Sequence, residues 1–153
     1  MDDRSILEVN WTDLLACRRA PRGSQGGVQC PIIATAADAY DRLAAEFATA
    51  ASERLIVLHL DAERRLLGVN RFEGALIEIE LSMRTIVHAA LRLDAAAMIL
   101  AHNHPSGSAE PSAADIEATR TLAGLGRPLG LTVDDHLIFA AGECVSMRGR
   151  GLL

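Results

Sequence analysis

The chain has 153 residues, half of them hydrophobic, and carries a formal charge of -5. That length suits one domain with a preceding extension, and the acidic balance argues against a broad phosphate-binding face, which needs clustered cations. All 15 basic residues are arginines, so Schiff-base and other lysine chemistry is excluded.

In chain order, residues 1–34 read as an N-terminal extension and linker. Trp11, Leu14 and Leu15 fit a short helix starting at Thr12, and residues 18–27, rich in arginine and glycine, read as a solvated link. A domain over residues 35–153 follows. Thr35 with Asp38 predicts a capping box, and Tyr40, Leu43, Ala44 and Phe47 recur at helical spacing. Residues 55–60 form an apolar run, as in a strand covered on both faces. Residues 61–64 then turn the chain into a second strand near residues 66–69. Residues 76–81 alternate, with Ile77, Ile79 and Leu81 on one side and Glu78 and Glu80 on the other, which predicts a strand with one wet face. Ser82 is expected to cap a helix carrying Ile86, Val87, Ala90 and Leu93. The apolar run at 96–101 leads into His102. A helix over residues 113–125 is expected to stop at Gly124, Gly126 and Pro128. Residues 131–133, 137–141 and 144–147 read as three short strands, with Gly142 and Glu143 as a turn. Strands interleaved with helices predict an α/β domain with helices packed on a mixed sheet.

The three cysteines, Cys17, Cys30 and Cys144, are odd in number and lack CxxC spacing, so neither a disulfide framework nor a thiolate zinc site is expected. Met1, Asp2, Asp3 and Arg4 lack the basic start of a signal peptide. No apolar run approaches the roughly 20 residues that span a membrane. The expected setting is cytoplasmic.

The stretch that carries chemistry is Ala101-His102-Asn103-His104-Pro105-Ser106-Gly107, followed by Pro111-Ser112-Ala113-Ala114-Asp115. Residues two apart on an extended chain point the same way, so His102 and His104 present two imidazoles to one side. Pro105 ends the strand, the loop reverses the chain, and Asp115 falls in the first turn of the next helix, where it can face back. Two imidazoles and one carboxylate make three ligands, which leaves one of zinc's four positions open for chemistry. The same Ser112 and Asp115 also make a capping box, so spacing alone leaves metal binding and simple capping both open. His59 and His88 read as core or surface histidines. Asp135 and His136 fit either a role in orienting a ligand imidazole or a structural role at a strand start. Asn103 carries no signal of its own.

The His-x-His-Pro phrase with Ser112 and Asp115 resembles the JAMM (MPN+) metalloprotease motif. The wider phrase from His102 to Gly107, together with Asp135-His136-Leu137-Ile138 and Arg150-Gly151-Leu152-Leu153, looks like the RadC branch of that superfamily over residues 35–153. The resemblance implies a cytidine-deaminase-like three-layer α/β/α fold. It also implies zinc on His102, His104 and Asp115, and hydrolysis of a peptide or isopeptide bond in a protein or peptide substrate. The family's upstream glutamate matches Glu53, at the head of Arg54-Leu55-Ile56-Val57-Leu58, with Glu73 as the competitor. By the same resemblance Glu53 is the general base and Ser112 helps stabilise the oxyanion.

Two other readings stand beside this one. The RadC family carries a DNA-repair label, so direct DNA binding is one, although residues 1–34 show no helix-hairpin-helix motif like that of full-length relatives. A metal-free interaction module is the other. A zinc deaminase would share the fold but needs His-x-Glu and Pro-Cys-x-x-Cys, both absent.

Overall fold

The computed structural model of the chain describes residues 30–73 and 79–153. The expected helix at Thr12 and the arginine-rich link lie outside the described residues. Helix α1 (Ala36–Ala48) starts as its sequence dictates. The Thr35 hydroxyl accepts from the Asp38 N–H, the Asp38 carboxylate accepts from the Thr35 N–H, and Ala39, Leu43 and Phe47 are buried along one face.

A five-stranded mixed sheet runs in the order β2-β1-β3-β4-β5, from β1 (Arg54–Leu60), β2 (Leu66–Glu73), β3 (Ala97–Asn103), β4 (Thr132–Ala140) and β5 (Glu143–Ser146). Strand β3 lies antiparallel to β1 and parallel to β4, at the centre, and every one of its residues is buried. That burial on both faces explains its apolar run from Ala97 to Ala101. Helix α1 covers one face through Leu43, Phe47, Ile56, Leu58, Ile99 and Phe139. Helices α2 (Ile79–Arg92) and α3 (Ala113–Gly126) cover the other through Ile86, Ala90, Leu122, Val57, Met98 and Leu100. The result is a three-layer α/β/α domain. Packing reaches back to Ile33, whose N–H donates to the Arg64 carbonyl at 2.8 Å.

Three expectations are corrected. The strand proposed for residues 76–81 is absent at its described end, because Ile79 already opens α2 and Ser82 lies inside that helix rather than capping it. Met83, Ile86, Val87 and Ala90 extend a helical period over more residues than the short alternation does, and the longer pattern wins. The stretch read as strands at 131–133 and 137–141 is one strand, β4, running through Asp134, Asp135 and His136. Each of these polar residues has a partner, so the strand need not break: Asp134 pairs with Arg64 at 2.8 Å, and the Asp135 carboxylate accepts from the Ser146 hydroxyl at 2.5 Å. The turn into β5 is Ala141-Gly142, both at positive φ, and Glu143 already belongs to β5. Finally, Cys30 takes part in a disulfide whose partner lies outside the described residues, while Cys144 is free. An odd cysteine count leaves room for one bridge and one thiol, which spacing does not distinguish.

A one-residue slip in the β3–β4 register, between Met98 and Ile99, sets the face that β4 shows to α3. Met98 pairs with Val133 but Ile99 with Asp135, so His136 rather than Asp135 lies level with Leu100, on the side of His102.

His59 is wholly buried in β1, with Nε2 2.7 Å from Asn70 Oδ1. Burial pushes its pKa down from 6.5 to about 4, against the opposing Asn70 bond. The unfolded chain therefore binds a proton here before the folded one does. The stabilisation is full above about pH 6.5 and is lost as the pH falls toward 4; at about 1.4 kcal/mol per pH unit the loss is roughly 3 kcal/mol. Urea unfolding across this window should show that slope. His59 Nδ1 and Asn70 Nδ2 find no hydrogen-bond partner among the described residues. The double variant His59→Leu/Asn70→Leu is thus expected to match wild type near neutral pH and to show a shallower acid slope. An unchanged slope would contradict the assignment.

Candidate metal centre

The centre forms where β3 ends. His102 is its penultimate residue, facing α3. His104 follows the strand and is held to β4 by its N–H donating to the Phe139 carbonyl at 2.8 Å. Gly107, at φ 92, lets the loop reverse, and its N–H donates to the His104 carbonyl. Ser112 caps α3: its hydroxyl accepts from the Asp115 N–H at 3.1 Å, and the Asp115 carboxylate accepts from the Ser112 N–H at 2.7 Å. The capping box therefore exists, and it also aims the carboxylate. Asp115 Oδ1 lies 3.2 Å from His102 Nε2, and Oδ2 lies 3.2 Å from His104 Nε2. The two Nε2 atoms are 2.8 Å apart.

Hydrogen positions follow from the outer partners. The Ser108 carbonyl can only accept, so His104 Nδ1, 2.8 Å from it, carries hydrogen, and in the neutral imidazole Nε2 then presents a lone pair. On the other side the Thr119 hydroxyl donates to the Asp115 carbonyl at 2.6 Å and accepts from His136 Nδ1 at 2.6 Å. His136 is neutral, because burial and then the neighbouring His102 push its pKa down to about 3. Its Nε2 is therefore bare and accepts from His102 Nδ1 at 2.7 Å. His102 Nε2 is then a lone pair as well. Burial raises the Asp115 pKa, and hydrogen bonding from Ser112 lowers it and favours the carboxylate anion. Two lone pairs and a carboxylate thus converge within 4.8 Å. Such a set repels itself unless a cation lies among its members. Bonds of about 2.0–2.2 Å at tetrahedral angles place donors roughly 3.3 Å apart, close to the separations found here, so the residues fit a divalent ion.

Sequence reading anticipated His102, His104 and Asp115 as a group, and the fold brings them together. It left His136 open between two roles; the geometry puts it on His102, one of the three candidate ligands. Asp135 lies elsewhere: its carboxylate accepts from the N–H groups of His136 and Arg148 and braces the C-terminal turn. Thr119 was missed. A threonine four residues after an aspartate on a helix gives no local sign that it holds a histidine 17 residues further on.

Glu53 directly precedes β1, two residues from Leu55, whose ladder partner is His102, and it is not one of the converging donors. Its competitor Glu73 pairs with Arg54 at 3.0 Å, and Arg54 alternates away from Leu55 and His102. His59 lies in the core, as expected. A cleft of about 570 Å³ between α1, the end of β3 and the β4–β5 turn reaches His104, lined also by Ala44, Ala48, Phe139 and Glu143.

A three-layer α/β/α sheet domain with this donor set beside its central strand has the JAB/MPN-like architecture. The family model of the RadC-like JAB domain matches residues 33–152, and the chain belongs to that family.

Proposed function

We propose that this domain is a zinc-dependent hydrolase acting on peptide or isopeptide bonds. The observation that carries the reading is the convergence of two imidazole lone pairs and a carboxylate, with every ring hydrogen directed outward to Ser108, His136 and Thr119. His102, His104 and Asp115 would hold the metal. A bound zinc ion supplies a Lewis acid that lowers the pKa of an attached water toward about 7 and polarises a carbonyl.

The chain's own residues do the rest. Glu53, free of the ligand set, takes a proton from the attacking water and returns it to the leaving amine, a transfer typically worth about 10²–10⁴ in rate. The Ser112 hydroxyl accepts from the Asp115 N–H, so its own proton remains to be donated to the developing oxyanion. His136 and Thr119 hold the His102 ring and its tautomer. The small apolar cleft beside His104 gives a polypeptide room to approach the site. A nucleic-acid role has less support: among the described arginines, Arg54, Arg64, Arg65, Arg71 and Arg150 each pair with a carboxylate.

The test is to measure zinc content of the purified chain and then cleavage of a mixed peptide and isopeptide library, before and after chelation. About one zinc per chain and cleavage lost on chelation and restored by zinc are expected. Cleavage indifferent to metal, or a chain that takes up none, overturns the reading.

A further inference from the structure

Asn103 stands between the two imidazoles in sequence, but strand alternation turns its side chain to the opposite face of the sheet from His102. It is 6% exposed. Its Oδ1 accepts from the Arg54 N–H at 2.8 Å, and its Nδ2 donates to the Ser52 carbonyl at 3.0 Å. These two bonds fall on either side of Glu53. They also lie beyond Leu55 and His102, the last pair of the β1–β3 ladder. The side-chain amide thus continues the ladder by one step, at the point where the chain enters β1. Only one amide orientation serves both partners, since a flip would set oxygen against oxygen and N–H against N–H.

From this we infer that Asn103 is the positioning residue for Glu53, tying the backbone on both sides of the base to the strand that carries the metal ligands. The inference rests on the hydrolase reading above. Its physical content is distance. The base belongs to one strand and the metal to another, and a displacement of about 1 Å can cost about 10² in rate. Asn103 removes that freedom without touching the metal, the water or the substrate.

Asn103→Ala is expected to lower kcat by about 10² while leaving KM and zinc affinity near wild type. Asn103→Asp keeps the acceptor for the Arg54 N–H but opposes a carboxylate oxygen to the Ser52 carbonyl, and should fall between the two. In a Glu53→Gln background the Asn103→Ala change should cost nothing further, because the group it positions is already inert. An equal loss in both backgrounds, or a loss of zinc affinity, would mean that Asn103 acts elsewhere and would overturn the inference.

A second readout needs no turnover. With Co²⁺ in the site of a chain carrying ¹³C-labelled glutamate, paramagnetic relaxation of the Glu53 side-chain carbons reports their distance from the ion. It should be strong in wild type and at least twofold weaker in Asn103→Ala. Equal relaxation in both sinks the positioning role. Failure of Co²⁺ to bind, or wild-type cleavage by Glu53→Gln, instead sinks the hydrolase reading on which it stands.

Discussion

Glu53→Gln is expected to retain a full complement of zinc and to hydrolyse substrate about 10²–10⁴ times more slowly than wild type. The exchange is nearly isosteric and removes only the ability to accept and return a proton. His102, His104 and Asp115 make their contacts with one another and with Ser108, Ser112, His136 and Thr119, none of which involves residue 53. Metal content and rate should therefore separate cleanly. Glu73→Gln serves as the control: it weakens an ion pair to Arg54 at the exposed end of β2 and should leave the rate within a few-fold. Wild-type cleavage by Glu53→Gln would remove the general-base assignment, and a large loss from Glu73→Gln would transfer it.

His104→Ala is expected to weaken zinc binding more than 100-fold and to abolish hydrolysis with it. The estimate follows from a lower bound: residues that only orient a metal-bound imidazole are worth about 10–100-fold in affinity, and His104 is placed to bind directly. Because the ion binds the folded chain alone, its loss also removes stabilisation of about 2.7 kcal/mol at a zinc concentration 100 times the Kd. Thermal unfolding with and without zinc reads this directly. Wild type should unfold several degrees higher with the metal, and His104→Ala at the same temperature in both. His136→Gln should lie between them, since it disturbs the His102 ring without removing a ligand. A zinc-dependent shift in His104→Ala equal to wild type would place the ion elsewhere.

Much of the site was legible because its chemistry is local. His102 and His104 are two residues apart on a strand that its apolar run betrays, and Asp115 sits at a helix start marked by Ser112. The central strands β1 and β3 were legible for the same reason: burial on both faces leaves few polar positions to confuse the pattern, with His59 the one polar residue inside the run of β1. What escaped depends on contacts distant in sequence. The run Asp134-Asp135-His136 looks like a break until Arg64, Ser146 and His102 supply its partners, 70, 11 and 34 residues away. The alternation near Ile79 is genuine but short, and the longer helical period into α2 overrides it. Asn103 looked inert because both of its partners lie about 50 residues upstream.

The slip between Met98 and Ile99 has a consequence for how relatives of this chain should be compared. Asp134 is the extra residue of β4: with it slipped out, Val133 and Asp135 stand opposite the consecutive residues Met98 and Ile99, and His136 falls on the side of His102. Losing the single codon for Asp134 would close the slip and still leave His136 level with Leu100, on the side of His102, whereas straightening the strand with Asp134 kept would put Asp135 there. A one-residue gap between Val133 and Asp135 in a homologue is therefore compatible with the same brace on His102, provided the slip goes with the residue.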